Sequence, residues 1–213
     1  MESLNEIGLK HGTDKSTMTH CYLDTYEHYL GHLKDKEFVL LEIGCAAANS
    51  IRMWREFFPK AKVFTIDINP DCATYTDGVF IGSQTDTAFL DKLISDIGIP
   101  DVIISDGSHV GDEEVITFKH LFPKMNPDGI YVLEDTHTLY NSHYSGEFEG
   151  NGRTKAYNFF TDLVCHVDVA GRAMCGSQET AINWPMNDPP VPEYSRMLKS
   201  IFFHPSLWFF KRK

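Results

Sequence analysis

The chain has 213 residues, of which 42% are hydrophobic and 23% are charged, and its formal net charge is −11. This balance is typical of a globular protein and excludes disordered, collagen-like and coiled-coil chains. The acidic charge argues against a nucleic-acid partner, because a phosphate backbone requires a basic surface. We expect a single globular domain over residues 1–213.

Neither a membrane span nor a secretion signal is expected. No apolar run reaches the roughly 20 residues that cross a bilayer. The first residues, Met1 to Ile7, contain no basic region followed by an apolar one. The five cysteines form no Cys-x-x-Cys pair. This favours reduced thiols and a cytoplasmic location over a disulfide framework or a zinc ribbon.

Short apolar runs alternate with amphipathic stretches through the first two thirds of the chain. Near-continuous apolar runs predict strands covered on both faces, and apolar residues three or four apart predict helices. The predicted strands are 38–43, 62–66, 79–81, 101–105 and 130–133, and the predicted helices are 50–58, 87–97 and 112–122. The alternation predicts an α/β fold with a Rossmann-like, doubly wound and mostly parallel sheet.

The end of the chain departs from this alternation. Two aromatic runs, 200–204 and 207–210, flank Pro205-Ser206 and predict a C-terminal antiparallel strand pair that closes the sheet. A membrane-surface segment is the alternative, because basic residues follow the second run, although amphipathic helical spacing is absent. Two Gly- or Pro-rich segments, 136–158 and 183–193, are expected to be loops that bind or cover the substrate.

Carboxylates follow the predicted strands at the sheet edge where open α/β folds bind ligands. Asp67 ends the second strand and is placed to bind ribose hydroxyls, with a helix N-cap as its alternative role. The small residues of the turn from Gly44 to Asn49 allow a ligand to approach the backbone closely. This turn matches neither the Gly-x-Gly-x-x-Gly fingerprint nor a P-loop, which disfavours both nucleotide sites.

A second cluster combines three carboxylates with one imidazole: Asp106, His109, Glu134 and Asp135. Oxygen-rich sites of this kind suit Mg²⁺ or Mn²⁺, and such an ion lowers the pKa of a hydroxyl bound to it. His109 follows Asp106 in the same loop and is placed to accept the proton. The alternatives are a simple turn at Asp106 and a solvated loop at Glu134-Asp135, but the cluster as a whole favours a catalytic site.

These segments resemble class I S-adenosylmethionine-dependent methyltransferases, and among them the metal-dependent sugar O-methyltransferases of the macrolide type. The matching segments are His11–Lys15, His20–Tyr22, Leu41–Gly44, Phe64–Asp67, Gly82–Gln84, Asp106–His109, Leu133–Asp135 and Ser200–Lys211. The resemblance implies methyl transfer from S-adenosylmethionine to a small-molecule acceptor, namely a hydroxyl of a sugar or of a glycosylated natural product.

The resemblance also implies roles for individual residues. It makes Asp106, Glu134 and Asp135 ligands of Mg²⁺ or Mn²⁺, and His109 the general base. The implied donor-binding residues are Glu42, Gly44, Asp67, Gln84, Lys15 and Tyr22. Two departures from the family are the absence of a second glycine after Gly44 and a serine, Ser105, where relatives often carry aspartate.

Three other functions remain open at this point. A metal-dependent O-methyltransferase of a catechol-like aromatic diol would use the same parts. A dinucleotide-binding oxidoreductase is disfavoured by the missing glycine fingerprint. A non-catalytic donor-binding protein is disfavoured by the intact metal and base positions. The sequence does not decide between Mg²⁺ and Mn²⁺, whether the chain forms a homo-oligomer, or the roles of His137 and His143.

Overall fold

The computed structural model describes residues 2–174 and 192–213. Its strands are β1 Val39–Ile43, β2 Lys62–Asp67, β3 Val79–Ile81, β4 Val102–Ser105, β5 Ile130–Glu134, β6 Leu198–His204 and β7 Leu207–Arg212. They form one sheet in the order β3-β2-β1-β4-β5-β7-β6. The first five are parallel, and β7 pairs antiparallel with both β5 and β6. The predicted fold class is therefore confirmed.

Helices cover both faces of this sheet. They are α1 Leu4–His11, α2 Leu23–Leu30, α3 Asn49–Phe57, α4 Thr87–Ile97, α5 Gly111–Leu121, α6 Ser142–Ser145, α7 Lys155–Met174 and α8 Glu193–Arg196. Short 3₁₀ turns cover Gly31–Leu33, Pro70–Thr74, Phe122–Lys124 and Thr136–Tyr140. No helix within the described ranges is long and apolar enough to cross a membrane.

Alternate residues of each strand point into two separate hydrophobic layers. Leu40 and Val132 pack with Trp54 of α3 and Tyr26 of α2 on one face. Their strand neighbours pack on the other face, against α4, α5 and α7. Both faces are covered, which is why these strands are almost continuously apolar in sequence.

The aromatic end of the chain belongs to this core. Trp208, Phe209 and Phe210 are buried in β7, where Leu133 pairs with Trp208 and Val132 with Phe209. The hairpin prediction is confirmed, and the alternative of a membrane-surface segment is wrong because these rings are enclosed.

The two predicted loops have different outcomes. The segment 136–158 contains a 3₁₀ turn, α6 and the start of α7 at Lys155, so the prediction of a loop is wrong for 155–158. The second segment, 183–193, lies outside the described residues as far as position 191. A substrate-binding or covering role for either segment stays a prediction.

The segment between α1 and α2 leads directly to the site. Ser3 and Glu6 form a reciprocal capping box at the start of α1, and Gly12 ends the helix in a left-handed conformation. From there the chain runs along the carboxyl edge of the sheet, where the amide of Tyr22 donates to the carbonyl of Lys15 at 2.9 Å. This hydrogen bond joins Lys15 to Tyr22 within the loop Gly12–Tyr22, which lies over that edge.

Candidate active site

A cavity of about 570 Å³ opens at the carboxyl ends of the parallel strands. This is the edge at which α/β sheets bind ligands. The polar and glycine residues that line it include Gly12, Thr13, Asp14, Gly44, Asp67, Gln84, Asp106, His109 and Asp135. The cavity therefore joins the two carboxylate clusters identified in the sequence, one at Asp67 and the other at Asp106 and Asp135.

Gly44 allows the turn after β1 to pass very close to the loop after β4. Its φ is +96°, and a side-chain Cβ at this position would overlap the carbonyl oxygen of Asp106. Ala46 and Ala48, further along the turn, also have left-handed backbones. Position 44 requires glycine because its φ is positive and because no space is left for a side chain. Gly44 alone allows the close approach, so a second glycine in the turn is not needed for it.

Asp67 is fixed by backbone donors from that turn. Its Oδ2 accepts from the amides of Cys45 at 2.8 Å and Ala46 at 3.3 Å, and its Oδ1 accepts from the amide of Asn69 at 2.8 Å. Partial burial opposes ionisation, but these hydrogen bonds outweigh it and lower the pKa of Asp67. The result is an oriented, ionised carboxylate in the cavity wall, suited to accept from hydroxyls.

Glu42 lies behind the cavity and is fully buried. Its carboxylate accepts from Ser50 Oγ at 2.9 Å and from the indole of Trp54 at 2.7 Å. Burial raises the pKa of Glu42, and the ammonium of Lys15 opposes that rise. The role of Glu42 in donor binding stays a prediction, and the described geometry gives it protein partners instead.

Gln84 lines the cavity, but its amide group is engaged by neighbouring side chains and backbone. Its Nε2 donates to Glu114 at 3.2 Å and to Thr117 Oγ1 at 3.1 Å, and its Oε1 accepts from the amide of Ser108 at 2.9 Å. Glu114 is buried and also accepts from Ser105 Oγ at 2.6 Å. Gln84 therefore ties the loop that carries His109 to α5.

Asp106, His109 and Asp135 converge at the other end of the cavity. Each offers one ligand atom, and these atoms lie within 4.8 Å of one another. His109 Nε2 lies 3.6 Å from Asp135 Oδ2 and 3.8 Å from Asp106 Oδ1. His109 and Asp135 have left-handed backbones, with φ of +56° and +52°. The two carboxylates supply the oxygen donors that a hard divalent cation prefers, and the imidazole lies beside them.

Glu134 does not line the cavity and lies instead in a buried ion-pair cluster. It accepts from the phenol of Tyr26 at 2.5 Å and from the ammonium of Lys15 at 2.9 Å. Burial and the neighbouring Asp106 raise its pKa, against the opposing effect of Lys15. The structure thus brings Asp106 and Asp135 to the cavity and Glu134 to Lys15.

Lys15 and Tyr22, both predicted near the donor, instead contact the carboxylates of the second cluster. Lys15 is ion-paired with Asp106, Glu134 and Glu42, and Tyr22 donates to Asp135 Oδ1 at 2.7 Å. Sequence reasoning missed Tyr26 and Glu114 as partners of the site. The only signal for Glu114 was its place four residues into a helix that follows the Asp106 loop.

The two loop histidines lie outside the cavity wall. His137 is exposed and hydrogen-bonds Ser206 Oγ at 3.1 Å, with its Nδ1 4.0 Å from Asp135 Oδ1. His143 packs edge-on against Tyr144. Neither contact assigns a chemical role.

The sequence of the chain is similar to those of known methyltransferases. No protein-family model matches the chain. A rhamnosyl tetracenomycin-C 2'-O-methyltransferase from Streptomyces olivaceus is 30% identical over 97% of the chain and 54% of its own length. The mycinamicin VI 2''-O-methyltransferase of Micromonospora griseorubida is 30% identical over 68% of the chain and 38% of its own length.

The chain is homologous to these sugar O-methyltransferases. The resemblance drawn from its motifs is thereby confirmed. The homologue comparison also extends to structure: the MycE methyltransferase of the mycinamycin pathway, solved in complex with Mg and SAH, superimposes with a TM-score of 0.83 at 23% identity. That match covers 99% of the chain and 53% of the MycE chain, and it shows a shared fold. The chain thus spans about half the length of the relatives that it matches over most of its own length.

Proposed function

We propose that this chain transfers a methyl group from S-adenosylmethionine to a hydroxyl of a sugar attached to a small molecule. The observation that carries the proposal is the single cavity that joins Asp67 to the trio of Asp106, His109 and Asp135. The homologous enzymes are named for methylation of sugar hydroxyls, and MycE was solved with Mg and SAH.

The donor would lie along the β1 and β2 ends of the cavity. The ionised carboxylate of Asp67 would accept from the ribose hydroxyls, and Gly44 lines the same part of the cavity. The acceptor hydroxyl would then enter from the Asp106 and Asp135 end. Holding the two reactants in one enclosed space is the main contribution such a site makes to methyl transfer.

The second end of the cavity would hold Mg²⁺ or Mn²⁺ through Asp106 and Asp135, with Glu134 added by the family resemblance. A divalent ion bound there would lower the pKa of the acceptor hydroxyl. His109 would accept the proton, since its Nε2 lies within 4 Å of both aspartates and lines the same cavity. Asp135 would hold the imidazolium that forms next to it.

Thermal unfolding with S-adenosylhomocysteine, in Mg²⁺ and in EDTA, tests the donor site. A ligand at 100 times its dissociation constant adds about 2.7 kcal/mol, or roughly 5–10 °C for a chain of this size. We expect this shift in both buffers, and none with NAD⁺. A shift with NAD⁺ alone would favour the oxidoreductase.

Transfer of a radiolabelled methyl group from S-adenosylmethionine tests the acceptor class. Methyl α-L-rhamnopyranoside and catechol serve as matched probes, each with Mg²⁺ and with EDTA. We expect metal-dependent labelling of the rhamnoside. Labelling of catechol alone would replace the sugar by an aromatic diol.

A further inference from the structure

The side chain of Lys15 is enclosed at the carboxyl edge of the sheet, with about 1% of its surface exposed. Its ammonium lies among three carboxylates at the ends of three adjacent strands. Glu42 of β1 is 3.3 Å away and Glu134 of β5 is 2.9 Å away, and Asp106, after β4, makes the third ion pair. A lysine is almost never buried in this way without such partners.

The loop that carries Lys15 is itself held at both ends. Asn49 donates to the carbonyl of Gly12 at 3.0 Å, and the amide of Tyr22 donates to the carbonyl of Lys15. At the far end of the loop, the phenol of Tyr22 reaches Asp135. These contacts fix the backbone that carries Lys15, and its three ion pairs fix the position of the ammonium.

The two carboxylate oxygens of Asp106 have different neighbours. Oδ2 accepts from the ammonium, whereas Oδ1 lies 3.8 Å from His109 on the cavity side. Glu134, held by the same ammonium and by Tyr26, lies beside Asp106 in the buried cluster. Without a cation between them, two neighbouring acids repel one another and turn apart.

We propose that Lys15 is a positioning residue of the metal site rather than a contact of the methyl donor. Its directed hydrogen bonds to Asp106 and Glu134 hold the two carboxylates side by side, so that Asp106 Oδ1 faces the cavity. This inference rests on the proposed function, because it assigns Lys15 to one end of the site proposed there. Partners that orient metal ligands typically change metal affinity by about 10–100-fold.

Two variants separate positioning from the charge of the ammonium. Lys15→Met removes the cation at similar size and leaves three neighbouring acids, two of them buried, without a balancing charge, so it threatens folding. The double variant Lys15→Met/Glu42→Gln removes one positive and one negative charge together and preserves the net charge of the cluster. The wild type is therefore the charge-matched reference for the double variant, and Glu42→Gln alone shows what the loss of that carboxylate contributes. Trp54→Phe, which removes a donor to Glu42 and leaves Asp106 untouched, is the structural control.

The readouts are Mn²⁺ affinity, from the paramagnetic resonance signal of the free ion, and S-adenosylhomocysteine affinity, from calorimetry. Relative to the wild type, we expect the double variant to bind Mn²⁺ about tenfold or more weakly and the donor product within about threefold. Trp54→Phe should lose thermal stability without losing Mn²⁺ affinity.

Three results would overturn the inference. Unchanged Mn²⁺ affinity in the double variant would show that hydrogen bonds from Lys15 do not position the ligands. Loss of the donor product with Mn²⁺ retained would place Lys15 in the donor site. Failure of the wild-type chain to bind either ligand would instead remove the proposed function, and this inference with it.

Discussion

Tyr22 donates a 2.7 Å hydrogen bond from its phenol to Oδ1 of Asp135, a residue 113 positions further along the chain. The other oxygen of Asp135 faces His109 at 3.6 Å. Burial, together with the bond to Asp135, raises the pKa of Tyr22, so the phenol stays a donor at neutral pH. Asp135 is thus oriented from one side while it faces the proposed base on the other.

His109→Ala should separate donor binding from turnover. Loss of a general base typically lowers the rate by about 10²–10⁴-fold. Methyl transfer to the rhamnoside should fall by this factor while calorimetry shows unchanged S-adenosylhomocysteine affinity. His137→Ala, which removes the neighbouring exposed imidazole, is the control. Full turnover in His109→Ala would refute the assignment of the base.

Asp67→Asn should weaken donor binding without unfolding the chain. The amide keeps the shape of the side chain, but it removes the charged acceptor that the ribose hydroxyls of the donor would use. Hydrogen bonds to a charged group contribute about 1.5–3 kcal/mol each, so we expect at least tenfold weaker S-adenosylhomocysteine binding by calorimetry. Asp71→Asn, at a nearby exposed position, should bind as the wild type does. Equal affinities in the two variants would remove Asp67 from the donor site.

Gly44→Ala and Gly98→Ala together measure what the close approach at Gly44 requires. Both glycines have positive φ, +96° and +91°, but a Cβ at Gly98 meets no atom within 4 Å. Gly98→Ala should cost only the backbone strain, of order 1–3 kcal/mol. Gly44→Ala adds the overlap with Asp106 and should cost clearly more in urea unfolding. Equal losses would mean that the turn can move away from Asp106.

Glu114→Gln should flatten the dependence of stability on pH. Burial raises the pKa of Glu114 above its ordinary value of 4.5, so the folded chain binds this proton more tightly than the unfolded chain. The stabilisation that proton binding at Glu114 gives to the folded chain is therefore fully present below pH 4.5. It is lost as the pH rises through the raised pKa. Urea unfolding across this range should show a smaller decline for Glu114→Gln than for the wild type.

Asp112→Asn is the control for that experiment, because Asp112 lies on the exposed side of the same helix. Its pH profile should follow that of the wild type. A Glu114→Gln profile parallel to the wild-type one would show that Glu114 does not titrate differently on folding.

The sheet could be predicted from the sequence because its strands are buried on both faces. The run before Gly44 and the run ending at Asp67 are apolar for that reason, and β1 and β2 lie within one residue of their predicted bounds. Acids at strand ends likewise predicted that Asp106 and Asp135 would meet, since neighbouring parallel strands end at one edge.

The ion-pair cluster could not be predicted in the same way. Lys15 reaches Glu134 across 119 positions, and nothing in the local pattern of either residue indicates the other. The roles of Lys15 and Tyr22 came from the resemblance, which did not say at which end of the cavity their side chains point. Glu114 was hidden because a carboxylate near a helix start is ordinarily a solvated residue that favours the helix dipole.

The left-handed backbones at His109 and Asp135 lower the stability of the fold at two positions whose side chains the proposed reaction needs. Such conformations cost of order 1–3 kcal/mol where a side chain is present, and glycine relieves them. Selection for thermal resistance alone would therefore favour glycine at both places, at the expense of the imidazole and the carboxylate. A stabilised version of this chain gains most safely at positions remote from the cavity, with these two residues left unchanged.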